Sequence, residues 1–329
     1  MGKVEVIENR VLVYGDIHLS SRNYGAHRDY AKESLSMLKN ITDTAKSIGA
    51  THIIGLGDFS YGRFNTLEYR MEVEKQLEEQ YVYTHGNRYE LKGNHDKASY
   101  GMTEYEYYIQ KGLLKPSCNL VLGRANISMV DFGEHRKHTI IPPDSNMHNI
   151  VCMHDFFRFR DTQMPDYGKA VYLDEFEPWY GVDTIIGGHI HNYSQFEGNI
   201  ADMVQHKSNR VLVTYLGCPC RPSYREGHMQ DYGVYAVITT GTDSNGEQQV
   251  EENLYTFQLW DLEESFNLAD KADTEALRAM KHVDVSDIVK QLDSHERVAG
   301  DPEQVVMGML DIDVRYREKA IDYLKRAMG

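Results

Sequence analysis

Five apolar, strand-like runs in this chain each end in a short segment of glycine, aspartate, asparagine or histidine, and this repetition constrains the fold more than any other feature. The segments are Gly15-Asp16-Ile17-His18, Gly57-Asp58, Gly93-Asn94-His95-Asp96, His154-Asp155 and Gly188-His189-Ile190-His191. In an open α/β sheet, the loops at the carboxyl ends of the strands gather in one crevice. The sequence therefore predicts an α/β fold with polar side chains brought together at the strand ends.

The segments between these runs alternate in character. Apolar residues recur at helical spacing from Leu35 to Ile48 with Gly49 as the stop, and helix-forming residues fill 66–80. Strand-like runs at 11–14, 51–56 and 89–92 complete a βαβαβ order. We predict later strands over 149–153, 182–186, 211–216, 232–239 and 254–260, with a hairpin turn at 242–246.

The sequence becomes polar and helix-forming after about Leu262, where we place a domain boundary. The expected domains are 1–262, with the chemistry-bearing motifs, and a helical region, 263–329. Asp301-Pro302 resembles a helix start, and Ile321, Leu324 and Met328 form an apolar stripe on the last helix. The stripe is suited to a partner's groove or to a sister subunit, although packing back on the core is the commoner use.

The chain has 329 residues and a net charge of -15, which excludes a protein that coats polyanions through its overall field. Bound metal ions would reverse the sign of that field locally, so a phosphate substrate remains compatible. No apolar stretch is long enough for a membrane span, and we expect a cytoplasmic protein without membrane contact. The four cysteines are expected to be free thiols.

The spacing within the motifs favours metal chelation. Asp16 and His18 are two residues apart at a strand end, as are His189 and His191, so each pair projects to one side. The neighbouring glycines let the backbone pass close to bound ions. A single histidine at a strand end is more often an ordinary loop residue, but coincidence at five strand ends is a poor explanation.

These motifs resemble the five signature motifs of the calcineurin-like metallophosphoesterases. Within that superfamily the chain is similar to the SbcD-type double-strand-break repair nucleases, since Tyr215-Leu216-Gly217-Cys218 resembles their Tyr-Pro-Gly-Ser segment. The resemblance covers roughly residues 10–240. It implies a two-sheet α/β sandwich flanked by helices, with a small C-terminal helical appendage. It also implies a manganese-dependent DNA exonuclease or endonuclease that acts in repair or recombination with an SbcC-like, SMC-type ATPase, and a homodimer is an alternative use of the tail.

The resemblance also implies the roles of individual residues. One metal is expected on Asp16, His18, Asp58 and His191, and a second on Asp58, Asn94, His154 and His189. Asp58 would bridge the two ions, and His95 would act as general acid or as transition-state donor near the leaving oxygen. Mixed carboxylate, amide and imidazole donors favour manganese or iron, with magnesium and zinc as further candidates.

One position departs from the family pattern. Three residues after Asp58, the repair nucleases usually carry histidine and the protein phosphatases aspartate, whereas this chain has Tyr61. Its hydroxyl could donate a hydrogen bond to His95 or to the phosphate, or its ring could simply cover the metal site. Both roles remain open from the sequence.

Four arginines are weaker candidates for contacts with nucleic acid. Arg158 and Arg160 alternate with Phe156, Phe157 and Phe159 just after His154, a composition that can stack bases and pair phosphates. The commoner outcome is that such phenylalanines lie in the core and the arginines are solvated. Arg221 and Arg225 could face a nucleic-acid backbone or be ordinary surface residues.

Two other functions fit the same motifs. A phosphomonoesterase or small-molecule phosphodiesterase would use the same scaffold and metals, because a fold does not choose its substrate. A scaffold protein with an inactive core is the alternative from another class. The complete set of motif residues disfavours it.

Overall fold

The computed structural model describes residues 4–23, 27–61, 65–97, 101–134, 146–159, 170–173, 181–202, 207–221, 223 and 231–266. Its helices are α1 (Tyr30–Ile48), α2 (Leu67–Tyr83), α3 (Glu104–Gln110) and a short α4 (Leu262–Ser265). Its strands are β1 (Val6–Tyr14), β2 (His52–Gly55), β3 (Arg88–Glu90), β4 (Asn119–Leu122), β5 (Ala125–Val130), β6 (His148–His154), β7 (Phe157–Arg158), β8 (Val171–Tyr172), β9 (Thr184–Gly188), β10 (Ser194–Asp202), β11 (Lys207–Tyr215), β12 (Tyr232–Thr242) and β13 (Gln248–Gln258).

Two large mixed sheets carry the fold. The first has the order β13-β12-β1-β2-β3 and the second β10-β11-β9-β6-β5-β4, while β7 and β8 form a small pair. Strands β1, β2 and β3 are parallel, as are β5, β6, β9 and β11. Within each sheet the carboxyl ends of these strands therefore meet at one edge, as the sequence predicts.

Alternating side chains along the strands divide the core into layers. Val11 and Val13 of β1 share one buried cluster with Ile150 and Cys152 of β6, so the two sheets are packed against each other. The intervening Leu12 packs instead in a second buried cluster with residues of α1 and α2. Each fully buried aliphatic side chain of this kind contributes about 1.5–3 kcal/mol to folding. The fold class is the predicted one: an α/β structure of two sheets with helices on the outside.

Local signals place the helices. Asp29 caps α1 by accepting a hydrogen bond from the Lys32 N–H, and Gly49 ends it in the left-handed conformation with φ 67°. Thr66 caps α2 through the Tyr69 N–H. The predicted stop at Gly49 is confirmed, because a side chain at that φ would be strained.

Several predicted features differ from the observed ones or cannot be compared. Strands β4, β5, β7, β8 and β10 and the short helix α3 were not predicted. Helix α4 lies across the predicted boundary at 262, and the rest of the predicted helical region, with Ile321, Leu324 and Met328, lies outside the described residues. All four cysteines are free, as expected. Within the described ranges, no helix meets both the length and the apolarity that a membrane span requires.

A partly buried histidine joins the two sheets at the end opposite to the carboxyl ends of the parallel strands. His148 begins β6, and its Nε2 contacts Oε1 of Glu252 on β13, while its Nδ1 lies 3.4 Å from Oδ2 of Asp183. Burial lowers the pKa of His148, but the two carboxylates more than offset this and raise it from 6.5 to about 9. The positive charge of His148 therefore ties the second sheet to the first.

This raised pKa predicts a pH-dependent contribution to stability. The contribution is fully present below about pH 6.5 and is lost as the pH rises through about 9, because the folded protein holds the proton more tightly. Asp183 is 40% exposed, so we expect solvent screening to limit the effect to about 1 kcal/mol. The difference in Tm between the native protein and His148→Gln should shrink between pH 6.5 and 9.5, and a constant difference would contradict the prediction.

Candidate metal centre

The structure brings the predicted ligands together in two overlapping groups. The donor atoms of Asp16, His18, Asp58 and His191 lie within 4.8 Å of one another, and so do those of Asp58, His154 and His189. Oδ1 of Asn94 is 3.0 Å from Nε2 of His154 and 2.9 Å from Nδ1 of His189. Asp58 belongs to both groups, which is the arrangement that the resemblance implies.

The strand ends deliver these side chains from both sheets. Asp16 and His18 follow β1, Asp58 follows β2, and Asn94 follows β3, all in the first sheet. His154 is the last residue of β6, and the segment with His189 and His191 follows β9, in the second sheet. The cluster is therefore built from residues of both sheets.

The loops after β1 and β2 are bonded to each other. The His18 N–H donates to the Asp58 carbonyl at 2.9 Å, and the Leu19 N–H donates to the Phe59 carbonyl at 2.9 Å. The His189 N–H donates to Oδ2 of Asp16 at 2.7 Å, which adds the loop after β9. These bonds fix the ligand-bearing loops relative to one another.

Several backbone positions of the centre are left-handed. His18 and Asp58 both have φ 49°, and His189 has φ 80°. Non-glycine residues in this region cost about 1–3 kcal/mol each and persist where the surroundings fix them. A Cβ on Gly57 would lie 2.6 Å from Nδ1 of His154, and one on Gly188 would lie 2.5 Å from Oδ1 of Asp16, so both positions require glycine.

Buried acceptors hold the ligands in orientation. Nδ1 of His154 lies 2.7 Å from the Leu56 carbonyl, and because a carbonyl only accepts, this nitrogen carries the hydrogen. Nε2 of His154 is therefore the nitrogen that faces Asp58, whose Oδ2 is 3.4 Å away. Fixing the tautomer of a histidine in this way is typical of metal ligands.

The electrostatics of the cluster favour a cation at its centre. The buried carboxylates of Asp16 and Asp58 outweigh the burial that lowers the pKa of His154, and they raise it to about 10. Burial is the main cause that raises the pKa of Asp16 to about 6. Among the described residues, no group forms a hydrogen bond with Oδ1 of Asp16 or with Nδ1 of His18. These donors fit divalent metal ions that accept oxygen and nitrogen ligands.

His95 lies beside this cluster, outside both donor groups. Its side chain is exposed, and its backbone N–H donates to Oδ1 of Asp58 at 2.8 Å. The ring of Tyr61 stacks on the His95 ring, with centroids 4.8 Å apart and planes at 24°. Tyr61 also meets His18 edge to face at 5.3 Å. The Tyr61 ring therefore contacts both histidines, stacked on His95 and edge to face with His18.

The arginine candidates have different surroundings. The side chain of Arg221 is 1% exposed, and its Nε donates to the Trp260 carbonyl at 2.7 Å, which is incompatible with the predicted contact to nucleic acid. Arg158 is half-buried and donates to the Tyr172 hydroxyl at 3.1 Å. Arg160 and Arg225 lie outside the described residues. The three phenylalanines that alternate with Arg158 and Arg160 are core residues: Phe156, Phe157 and Phe159.

Two residues that shape the centre were not predicted from the sequence. Asp96 is fully buried and accepts hydrogen bonds from the N–H groups of Gly93, Phe59 and Ser60 at 2.9–3.3 Å, and its place in the Gly93-Asn94-His95-Asp96 motif was a usable signal. The Phe132 ring lies 6.0 Å from the ring of His154 and 5.7 Å from that of His189. No motif marks Phe132 in the sequence.

Solved structures that resemble this chain are distant from it. A putative 5'-nucleotidase from Staphylococcus aureus, in complex with α-ketoglutarate, has 14% identity and a TM-score of 0.41 over 82% of this chain and 58% of its own. The calcineurin-like phosphoesterase YfkN from Bacillus subtilis has 12% identity and a TM-score of 0.40 over 77% of this chain and 91% of its own. A dimetal phosphatase from Danio rerio has 10% identity and a TM-score of 0.38 over 77% of this chain and 99% of its own.

The comparison with family models is more informative. No curated protein matches the chain. The model described as calcineurin-like phosphoesterase matches residues 9–193. This range covers more than half of the chain and contains every residue of the metal centre described above. This protein therefore belongs to the calcineurin-like phosphoesterase family.

Proposed function

We propose that this protein is a manganese-dependent DNA nuclease of the SbcD type, which hydrolyses phosphodiester bonds. The observation that carries the proposal is the position of Asp58 in both donor groups, with the exposed His95 bonded to it through the backbone. Members of this family are hydrolases that bind two divalent metals. Manganese as the metal and DNA as the substrate are proposed in addition to this family chemistry.

Two ligand sets would hold the metals: Asp16, His18, Asp58 and His191, and Asp58, Asn94, His154 and His189. Two bound ions supply Lewis-acid activation of water and neutralise phosphate charge. The protein's own contribution is to hold carboxylate, amide and imidazole donors in place and to keep the tautomer of His154 fixed.

His95 is suited to act on the leaving group. Its backbone bond to Oδ1 of Asp58, at 2.8 Å, fixes its distance from the shared ligand, while its exposed ring is open to a substrate. A protonated ring nitrogen there donates its proton to the leaving oxygen, and the same nitrogen then recovers a proton from solvent. The stack with Tyr61 restricts the orientation of the ring.

Support for DNA comes from the 215–218 segment, whose sequence resembles that of the repair nucleases. The Cys218 thiol lies 2.7 Å from the Asp16 carbonyl, so this segment braces the loop that bears Asp16 and His18. Because the chain carries a net charge of -15, DNA would be held by local contacts. We also propose an SMC-like ATPase of SbcC type as partner, bound through the region 263–329, and a cytoplasmic location.

The substrate class is tested by comparing hydrolysis of linear DNA, bis-p-nitrophenyl phosphate and p-nitrophenyl phosphate with manganese. We expect DNA and the diester to be cut, and His95→Asn to lower turnover about 10²- to 10⁴-fold with unchanged metal content. Hydrolysis of the monoester alone would support the phosphomonoesterase function instead. No hydrolysis of any ester by the metal-loaded protein would support an inactive scaffold.

The shared role of Asp58 is tested by counting metals. The native protein should bind two Mn²⁺ ions with the coupled electron paramagnetic resonance signal of a close pair. Asp58→Asn should weaken both sites, whereas the control Asn94→Ala should weaken one, because only Asp58 belongs to both donor groups. Retention of the coupled pair in Asp58→Asn would contradict the bridging assignment.

The two roles of Tyr61 are separated by a pair of variants. If the ring orients His95, Tyr61→Phe should keep kcat within about 3-fold and Tyr61→Leu should lower it about 10-fold, which is less than the roughly 10²- to 10⁴-fold expected for loss of the general acid itself. The stacking distance of 4.8 Å leads us to expect this outcome. An equal loss in both variants, at unchanged metal content, would assign the role to the hydroxyl.

A further inference from the structure

We propose that Glu90 is a positioning residue of the metal centre, which holds the backbone turn that carries Asp58 through one carboxylate oxygen. This inference rests on the proposed role of Asp58 as a shared metal ligand. Glu90 is the last residue of β3, and its buried carboxylate lies behind the metal centre. It belongs to neither donor group.

The two oxygens of Glu90 have separate partners. Oε2 accepts hydrogen bonds from the Tyr14 hydroxyl and from Nη2 of Arg88, each at 2.6 Å. Oε1 accepts the hydrogen bond of the Gly57 N–H at 3.2 Å. One oxygen therefore faces the protein core and the other faces the residue before Asp58.

The core side fixes the position of the carboxylate. Tyr14, Arg88 and Glu90 are all fully buried. Nε of Arg88 donates to Oε1 of Gln80 at 2.8 Å, and the Gln80 amide donates to Thr42 at 2.9 Å, so helices α1 and α2 both hold the guanidinium. A Cβ on Gly55 would lie 2.2 Å from both oxygens of Glu90, which shows how closely β2 passes the carboxylate.

The turn that Glu90 holds needs such a constraint. Gly57 has φ 97° and Asp58 has φ 49°, so two consecutive residues are left-handed, and only the first is glycine. The Gly57 N–H is buried, and without an acceptor it would cost about 1–3 kcal/mol. Asp96 holds the residues on the other side of Asp58 through the N–H groups of Phe59 and Ser60. Glu90 completes the turn on the side where Asp96 makes no bond.

A contribution to stability does not by itself explain the buried ion pair of Arg88 and Glu90. Removing two charges from water is costly, and apolar residues of similar volume often stabilise a core equally well. The carboxylate differs from an apolar substitute in one respect, because it can accept from Gly57 and from Arg88 at once. This double acceptance is what a positioning role requires.

The separate partners allow the role to be tested with matched variants. In Glu90→Gln, the amide oxygen should face Arg88, since the guanidinium only donates. The amide nitrogen then faces the Gly57 N–H and the bond to the turn is lost. Tyr14→Phe removes the bond of the hydroxyl to Oε2 and the bond that it accepts from Nη2 of Arg88, so it disturbs the same buried cluster and leaves the Gly57 bond intact.

The readouts are Mn²⁺ affinity, from titration with electron paramagnetic resonance of the free ion, and the Tm of the metal-free protein. Both variants should have a lower Tm. We expect Glu90→Gln to bind Mn²⁺ about 10- to 100-fold more weakly, the range for groups that orient metal ligands, and Tyr14→Phe to bind it within about 3-fold of native. Native affinity in Glu90→Gln, or equal weakening in both variants, would overturn the proposal.

Two further variants make the affinity measurement decisive. If Glu90→Gln does not fold, Glu90→Asp keeps the charge opposite Arg88 but is too short to reach both partners, and it should show the same loss of affinity at a higher Tm. Native affinity in a folded Glu90→Asp would then overturn the proposal. Asp58→Asn serves as the reference: native affinity in that variant would refute the metal centre itself, independently of Glu90.

Discussion

The buried pair of carboxylates at Asp16 and Asp58 is the constraint on which the rest of the structure depends. Both side chains are 1% exposed and face imidazoles from the opposite sheet. Buried charges of one sign are tolerated only when they are paired or coordinate a cation. The two carboxylates raise the pKa of His154 to about 10, so they stabilise a positive charge even on a buried histidine. The rest of the centre serves to hold these oxygens at a fixed separation from nitrogen donors.

Holding the carboxylate oxygens of Asp16 and Asp58 in place requires both sheets and leaves the backbone little conformational freedom. A Cβ on Gly15 would lie 1.8 Å from the Gly217 carbonyl, so the loop after β1 is pressed against the segment after β11. On the other side, Glu90 and Asp96 fix the turn at Gly57 and Asp58. The strain of the left-handed residues is thus borne by buried hydrogen bonds that the surrounding fold supplies. This explains why glycines accompany the ligands at nearly every strand end.

The sequence was sufficient for the parts of the fold that rest on local physics. Gly49 marked the end of α1, and the strand-end motifs predicted the convergence of the donor groups, because parallel strands deliver their ends to one edge. Strand β5 was missed because the polar residues Asn126 and Ser128 interrupt its apolar pattern, although both are buried in the fold. The burial of Arg221 depends on its distant partners Glu33 and Trp260, which no local pattern reveals.

Substrate choice depends on groups that the metal-binding motifs leave unspecified. Metal ligands compensate charge and treat any phosphate ester alike, so discrimination has to come from side chains that flank the ester. On the His18 side the flank is the half-buried ring of Tyr61. On the His154 side it is Phe132, with Nζ of Lys97 4.6 Å from its ring centroid and 3.1 Å from its carbonyl. An aromatic face and a cation lie on one side of the centre and a phenol on the other, so the two substituents of a diester meet different surroundings. Under the proposed nuclease function, that asymmetry would give a DNA strand two distinguishable directions across the centre.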